Sequence, residues 1–298
     1  MAASPETVRL AAGNLRAEVS PGLGGRLARF WVERDGVVFD FLAPLAFDGS
    51  GPGGAGQGGC YGLAPYSNRI AEAAFVWEGR RVRLRPHRLA APHSLHGFAW
   101  ERRFDIISAT RERLSLAHHH QGDDDWPWPL KVRLDFALSE LGLEMTISAV
   151  NLASQAQPLG LGFHPFFPQR RTARLRFEAK EMWEGPADSL PRRRLPVPPD
   201  LDFASGRTPP EGLDHAFADI AAEADIIWPG AGWGLGLTAS PDLRGAVLFS
   251  PRGRDLFCWE PVSHPIDAVN LPGQPGLVRL VPNAVQSAGL GLWPRSLL

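Results

Sequence analysis

Residues 131–149 read KVRLDFALSELGLEMTISA, and apolar side chains occupy every second position on both sides of the SELG segment at 139–142. A strand presents alternate side chains to the same face, so this pattern predicts a hairpin of two strands with one buried face. Similar alternating segments recur along the chain. They cover residues 8–19, 26–41, 75–84 with a turn at Glu78 and Gly79, 104–116, 175–179, 234–238, 246–250 and 277–281.

Helical periodicity is weak throughout the sequence. The best candidate is a short helix over residues 216–224, with Asp214 or a neighbour as its N-cap. Most of the 28 prolines and 32 glycines fall between the alternating segments, where turns need a fixed or positive φ. Many short strands without intervening helices predict an all-β fold, an antiparallel sandwich or barrel. No repeat or linker divides the chain, so we expect one domain over residues 1–298.

The composition excludes several classes of protein. The chain has 31 Lys and Arg against 32 Asp and Glu, a net charge of −1, without the basic excess that a nucleic-acid binder uses. Its two cysteines, Cys60 and Cys258, form no CxxC motif, which suits a reducing compartment. No apolar run approaches the ~18 residues that cross a bilayer, and the N-terminus lacks a signal-peptide pattern. We therefore expect a cytoplasmic protein with neither nucleic-acid nor membrane partners.

Three segments resemble ligand sites but have simpler interpretations. Residues 51–56 (GPGGAG) satisfy GxGxxG, yet they open no helix, so we expect a flexible loop. The three histidines at 118–120 cannot converge on one ion, because adjacent residues of a strand point to opposite faces, and a solvated turn is expected. The three arginines at 192–194 have the chemistry of a phosphate clamp, although a solvated loop is the simpler interpretation.

Polar residues in apolar surroundings are better candidates for chemistry. His164 stands in the motif FHPFF, where desolvation would lower the pKa of the imidazole. Glu260 stands in CWEP, and a buried carboxylate requires a partner or a function. His93 and His96 lack a third ligand at zinc-site spacing, so one of them is interpreted as a polar residue in a pocket wall. The sequence predicts no metal site.

Five groups of motifs, in order along the chain, resemble those of the aldose 1-epimerase (galactose mutarotase) family. They are LAPYSNRI at 63–70 with FVWEG at 75–79, SLHGF at 94–98, GFHPFF at 162–167, LDHAF at 213–217, and CWEP at 258–261 with AVN at 268–270. The resemblance implies a large antiparallel β-sandwich of the galactose-mutarotase type, with the site in a cleft on one sheet. It also implies an isomerase that interconverts the α and β anomers of a free aldose.

The resemblance assigns the chemistry to two residues. It implies that His164 is the general acid and Glu260 the general base, held on opposite sides of the anomeric carbon. The base takes the proton of the C1 hydroxyl while the acid protonates the ring oxygen, so the C1–O5 bond opens. The aldehyde then rotates and the ring closes on either face. Because no oxidation state changes, no cofactor or metal is expected.

The resemblance further implies a set of substrate-binding residues, namely Asn68, Arg69, His96, Phe166 and Asp214. Phe166 replaces a frequent tyrosine of the family and offers an apolar face to the C–H surface of the sugar. Phe98 stands where the family usually has glycine, so its ring is expected to intrude on the site. The expected partner is a monosaccharide, and the chain is expected to be a monomer or a homodimer.

Three other functions stay open at this point. The first is a non-catalytic carbohydrate-binding or sensing protein on the same fold. The second is a glycoside hydrolase that uses the carboxylates of Asp214 and Glu260. The third is a phosphosugar mutarotase, for which Arg170, Arg171 or the run at 192–194 would bind the phosphate at the mouth of the cleft.

Overall fold

The structure, a computed structural model, describes residues 6–34, 36–46 and 58–297. The GPGGAG segment at 51–56 lies outside the described residues. The described part contains the following strands: β1 (Val8–Ala12), β2 (Leu15–Ser20), β3 (Arg26–Arg34), β4 (Val37–Asp40), β5 (Cys60–Leu63), β6 (Arg69–Ile70), β7 (Ala74–Trp77), β8 (Arg80–Arg83), β9 (Ser94–Leu95), β10 (Asp105–Ala109), β11 (Arg113–His120), β12 (Leu130–Leu138), β13 (Leu143–Asn151), β14 (Gln157–Leu159), β15 (Gly162–Pro168), β16 (Arg174–Trp183), β17 (Arg194–Pro196), β18 (Leu213–Trp228), β19 (Trp233–Ala239), β20 (Gly245–Ser250), β21 (Leu256–Val262), β22 (Val278–Leu280) and β23 (Val285–Ser296).

The helices of the described residues are single 3-10 turns, at Pro21–Leu23, Ala71–Ala73, Ala99–Glu101, Ala187–Ser189, Pro199–Leu201, Pro229–Ala231 and Ala268–Asn270. None of these described helices has the length and apolar character needed to span a bilayer. The helix predicted over 216–224 is wrong, because these residues belong to β18. There the backbone pairs with β16, β19 and β20, and this pairing outweighs the helical propensity of the alanines.

Antiparallel pairing builds the β-sandwich that the sequence predicts. One layer contains, side by side, β2, β3, β5, β15, β21, β20, β18 and β16. The other contains β10, β11, β12, β13, β23 and β19. The long strand β18 joins the two layers, because residues 213–218 pair with β20 whereas residues 223–228 pair with β19.

The hairpin at 131–149 is confirmed and forms the middle of the second layer. Strands β12 and β13 pair from Leu130–Asn151 to Leu138–Leu143, and their alternate apolar side chains are buried. Gly62 of β5 faces this hairpin from the first layer, and a Cβ there would lie 2.9 Å from Cδ1 of Ile147. The two layers therefore meet closely beneath β5, which leaves the opposite face of β5 to form a cleft.

One further sequence interpretation needs correction. The histidines at 118–120 form the end of β11 and not a solvated turn, since the strand continues pairing with β12 to its last residue, and His120 is buried. The arginines at 192–194 are exposed as predicted, with residues 192 and 193 outside the strands and Arg194 at the start of β17, and each of them forms an ion pair. Cys60 and Cys258 are free thiols and both are buried, as expected from their sparse use.

Candidate active site

Neighbouring strands of the first layer bring the candidate residues together on one face. Strands β15 and β21 are antiparallel, and their register pairs Phe166 with Cys258, so His164 lies opposite Glu260. On its other side His164 is paired with Tyr61 of β5. These side chains share a face because residues two apart along a strand point the same way. The register therefore makes His164 and Glu260 cross-strand neighbours.

A cavity of about 370 Å³ opens above these strands. Its size is in the usual range for a small-molecule site. All seven site residues that the family resemblance implies contribute to its lining. The lining residues are Arg26, Tyr61, Asn68, Arg69, Leu89, Leu95, His96, Trp100, His164, Phe166, Asp214, Phe249 and Glu260.

His164 and Glu260 are in direct contact on the floor of this cleft. Nε2 of His164 lies 3.2 Å from Oε1 of Glu260, and both side chains are buried. The sequence-based expectation placed the two groups on opposite sides of the anomeric carbon. In the structure they lie side by side instead, because adjacent strands hold cross-strand neighbours close together.

Burial opposes charge on either member of this pair. It raises the pKa of the Glu260 carboxyl well above its ordinary value, an effect that Asp214 increases and Arg69 opposes. Burial also lowers the pKa of His164 well below its ordinary value, and His96 and Arg26 act in the same direction. A lone carboxylate or a lone imidazolium is therefore disfavoured here. The pair as a unit is uncharged and holds one transferable proton between Oε1 and Nε2.

Aromatic rings fix the His164 imidazole and form the apolar wall of the cleft. The ring of Phe166 stacks on His164 with centroids 4.5 Å apart, and the ring of Tyr61 lies 4.7 Å away. Trp100 continues this wall, with its centroid 5.3 Å from that of Tyr61. Such rings position the imidazole and present flat apolar faces toward the space where a ligand would lie.

Asn68 and His96 form a hydrogen-bonded corner of the cleft. Both have left-handed backbone conformations, with φ of 56° and 58°, which asparagine and histidine adopt more readily than most residues. The backbone N–H of Asn68 donates to Nδ1 of His96 at 3.0 Å. Burial, with Arg69 and His87 adding to it, lowers the pKa of His96 to about 3. His96 is thus neutral, and its Nε2–H is a donor.

Arg69 is held in place by the residue that precedes it. Oδ1 of Asn68 accepts hydrogen bonds from the backbone N–H of Arg69 at 3.0 Å and from its Nη1 at 3.1 Å. The side chain of Asn68 therefore orients the guanidinium. Arg69 in turn opposes the rise in the pKa of both Glu260 and Asp214, so its charge acts on both carboxyl groups.

Asp214 lies on β18, two strands from Glu260. Its partner in the ladder is Phe249 of β20, which is itself paired with Cys258 of β21. Burial raises the pKa of Asp214 to about 6, with Arg69 opposing this effect and Asp188 adding to it. The residue is thus a strand-borne carboxylate of the cleft and not the helix N-cap that the sequence suggested.

Phe98 does not line the cleft, contrary to expectation. Its ring is buried and stacks on His120 of β11, with centroids 4.1 Å apart and an interplanar angle of 16°. Because His96 and Gly97 both have positive φ, the chain turns sharply before residue 98. The turn directs the phenyl ring toward the second layer of the sandwich.

Four of the five arginines considered for phosphate binding are engaged elsewhere, and none of the five lines the cleft. Arg192 donates to Asp267 at 2.6 Å, Arg193 pairs with Glu184, and Arg194 pairs with Glu181 and Asp219. Arg170 is buried and donates to the carbonyl of Pro209. The cationic side chains that line the cleft are Arg26 and Arg69.

Several lining residues were missed by the sequence analysis. Tyr61 reaches the cleft because β5 pairs with β15, and Trp100 reaches it from the 3-10 turn Ala99–Glu101. Arg26 is buried with its guanidinium carbon 4.5 Å from the centre of the Tyr61 ring. Nothing in the sequence around Tyr61 indicates that it lines the cleft, because its position beside His164 depends on the pairing of β5 with β15.

Comparison with known proteins identifies the family of the chain. A family profile described as aldose 1-epimerase matches residues 6–292. The chain is 28% identical over 292 residues to the uncharacterised protein YphB of Escherichia coli K12, covering 95% of this chain and 97% of that protein.

Solved structures of similar proteins share the fold of this chain. The structure of a candidate aldose 1-epimerase from Escherichia coli K12 superposes with a TM-score of 0.88 at 26% identity, over 98% of this chain and 99% of that one. A GalM/aldose epimerase homologue from C. elegans shares the fold, with a TM-score of 0.82 at 17% identity over 99% and 100% of the two chains. The profile match spans nearly the whole sequence, and the chain belongs to the aldose 1-epimerase family.

Proposed function

We propose that the protein is a mutarotase that interconverts the α and β anomers of a free aldose by general acid–base catalysis. The observation that carries the proposal is the contact of His164 Nε2 with Glu260 Oε1 at 3.2 Å on the floor of an open cleft. Anomerisation moves protons at O1 and at the ring oxygen, which are both bonded to C1. Two groups that serve these oxygens must therefore lie close together.

The proposed reaction uses the one proton that the pair holds. When the sugar lies over the floor and the shared proton is on Nε2 of His164, the ionised Glu260 accepts the proton of the C1 hydroxyl while His164 donates its proton to the ring oxygen, and the C1–O5 bond breaks. Rotation about C1–C2 and closure on the other face return both protons. The pair gains and loses no net charge in this cycle, which suits a buried site.

The remaining cleft residues have proposed binding roles. The neutral His96 donates from Nε2, Arg69 donates from its guanidinium, and Asp214 accepts from sugar hydroxyls. Asn68 acts on the sugar through Arg69, whose guanidinium it orients. Phe166 and the neighbouring rings contact the C–H face of the sugar. These contacts hold C1 above the pair, and orientation of this kind supplies a large part of enzymatic rate enhancement.

A free sugar is favoured over a phosphosugar. The three arginines at 192–194 already form ion pairs with carboxylates, and Arg170 donates to a backbone carbonyl. None of these arginines lines the cleft, so none of them is placed to bind a phosphate ester there. A glycoside hydrolase would use the carboxylates of Asp214 and Glu260, which commonly lie at least ~5 Å apart in such enzymes, and it would leave the contact of Glu260 with the His164 imidazole without a role.

The test is a mutarotation panel followed by optical rotation. Fresh α-anomers of galactose, glucose, arabinose, xylose, fucose and rhamnose are compared with galactose 6-phosphate, with the spontaneous rate subtracted. We expect at least one free aldose to equilibrate faster with the protein, and the phosphate ester to be a poorer substrate. Binding of a sugar without acceleration would instead identify a sensing protein, and release of nitrophenol from an aryl glycoside would identify a hydrolase.

A further inference from the structure

A third potential ligand atom lies beside the proposed acid–base pair. Cys258 is two residues before Glu260 on β21, so its thiol is on the same face of the sheet. The donor atoms of His164, Cys258 and Glu260 all lie within 4.8 Å of one another, and all three residues are buried. Among the described residues, this is the one group of at least three histidine, cysteine or acidic side chains with such proximity. The mutarotase reaction has no use for the thiol.

The spacing of these donors fits a tetrahedral metal ion. Zinc bonds of about 2.0–2.1 Å to nitrogen and oxygen, at the tetrahedral angle, put those two donors roughly 3.3 Å apart. The observed separation of His164 Nε2 and Glu260 Oε1 is 3.2 Å. The two atoms are thus already spaced as one edge of a zinc coordination tetrahedron. Sγ of Cys258 lies within 4.8 Å of both atoms, and it completes a third corner when it approaches them to roughly 3.6 Å.

The chemistry of the three donors selects the class of cation. A thiolate, an imidazole and a carboxylate bind Zn²⁺ or Cd²⁺ far better than Mg²⁺ or Ca²⁺, which prefer oxygen ligands alone. The charges also balance, because one divalent cation neutralises the thiolate and the carboxylate in a site where an uncompensated charge is costly. His164 and Glu260 line the cleft, so a hydrated cation reaches the cluster from there.

We propose that His164, Cys258 and Glu260 form a binding site for a thiophilic divalent cation such as Zn²⁺, and that the bound cation inhibits the enzyme. On binding, the Cys258 thiol and the His164–Glu260 pair each release one proton to solvent, and Sγ, Nε2 and one carboxylate oxygen replace three waters of the cation. The fourth position faces the cleft. The cation occupies the lone pairs that would exchange protons with the sugar, so the metal-free protein is the active form.

The site can be tested without any activity measurement. The full chain, reduced and treated with a chelator, is titrated with Cd²⁺, and the ultraviolet sulfur-to-cadmium charge-transfer band is recorded. This band reports a bound thiolate, so ions held by histidines alone, such as the exposed His119, do not produce it. Zn²⁺ affinity is measured in parallel by competition with a chromophoric chelator. We expect saturation at one ion per chain.

Two cysteine variants form a matched pair for this experiment. Cys258→Ala should lose the band and should bind Zn²⁺ more weakly. Loss of a group that only supports a metal ligand already lowers affinity by roughly 10–100-fold, so loss of the ligand itself should lower it by at least as much. Cys60→Ala removes the other buried thiol and should keep both properties. A band that persists in Cys258→Ala, a band lost in Cys60→Ala, or no saturable binding by the wild type would each overturn the proposal.

A second variant covers the case in which Cys258→Ala does not fold. Glu260→Gln keeps the thiol but removes the anionic oxygen ligand, so Cd²⁺ affinity should fall, and an unchanged affinity would contradict the site.

Inhibition rests on the proposed function and is tested separately. Zn²⁺ should slow wild-type mutarotation reversibly with EDTA, whereas Cys258→Ala should have a normal basal rate and tolerate higher Zn²⁺. Unimpeded turnover at saturating Zn²⁺ would refute the overlap with the acid–base pair. Absence of turnover in the metal-free wild type would refute the mutarotase function and leave the cadmium result to stand alone.

Discussion

Asp267 is hydrogen-bonded to the strand that carries Arg69, since its backbone N–H donates to the Arg69 carbonyl at 3.0 Å. The buried carboxylate of Asp267 also accepts from the backbone N–H of Ala71, from Asn270 and from Arg192. The family motif at 268–270 therefore lies beside the cleft without lining it. Asn270, the last residue of this motif, donates to Asp267, and Asp267 in turn holds the strand of Arg69 in position.

The first prediction compares Arg192, which belongs to this network, with the neighbouring Arg193, which does not. Arg192→Ala leaves the Asp267 carboxylate, whose side chain is fully buried, without its cationic partner. Breaking a buried pair in this way costs about 3–5 kcal/mol, and we expect about 2–3 because Arg192 itself is half exposed. Arg193→Ala breaks an exposed pair with Glu184 and should cost less than about 1 kcal/mol. Urea unfolding of the two variants measures the difference, and equal stabilities would contradict it.

The second prediction concerns the acid–base pair. His164→Asn and Glu260→Gln remove a proton-transferring group but keep a similar polar shape, so the fold should persist. Each variant should lower kcat by about 10²–10⁴-fold. The double variant should be little worse than either single one, because the two groups act as a unit.

Polarimetry measures the rates of these variants, and thermal unfolding checks that they fold. His119→Asn, a change at an exposed histidine, serves as the control. A near-normal rate in either single variant would refute the assignment.

Local sequence was enough to find each member of this pair but not their relationship. The aromatic neighbours of His164 and the apolar neighbours of Glu260 indicated burial, and both are buried. Their contact follows from the pairing of β15 with β21, which alternation along a single strand does not specify. The same limitation explains why Tyr61 was missed and why residues 216–224 were assigned to a helix. In each case the neighbouring strand determines the structure.

The third prediction separates two roles of Asn68. Asn68→Gly keeps a backbone that tolerates positive φ but removes the oxygen that orients Arg69. Asn68→Ala removes that oxygen and also places a methyl group in the left-handed region, which costs roughly 1 kcal/mol or more. Both variants should raise KM for the sugar, whereas only Asn68→Ala should lose this extra stability. If KM stays at the wild-type value in Asn68→Gly, the orienting role is wrong.

The fourth prediction is a pH dependence of sugar binding. The pKa of Asp214 is about 6, raised by burial, so its ionised fraction falls as the pH drops from about 7 to about 5. A charge-assisted hydrogen bond is stronger than a neutral one by ~1 kcal/mol, and most of the Asp214 population becomes protonated across this window, so KM should rise about three- to fourfold. Asp214→Asn should have a raised KM that no longer changes there. A wild-type KM that is constant between these two pH values would exclude the role.

The fifth prediction distinguishes a core residue from a specificity residue. Phe98 stands where the family usually has glycine, but its buried ring stacks on His120 and not on the cleft. Phe98→Gly should therefore cost about 3–5 kcal/mol of stability, as expected when a large core side chain is removed, and should not widen the range of sugars accepted.

A milder change keeps this test informative if the glycine variant does not fold. Phe98→Leu preserves most of the volume and should cost about 1 kcal/mol. The ratios of kcat/KM among the sugars of the panel should match the wild type, since the altered side chain does not line the cavity. Phe166→Leu, at a residue that does line it, should change those ratios. A shift in sugar preference in the Phe98 variant alone would show that the ring reaches the substrate after all.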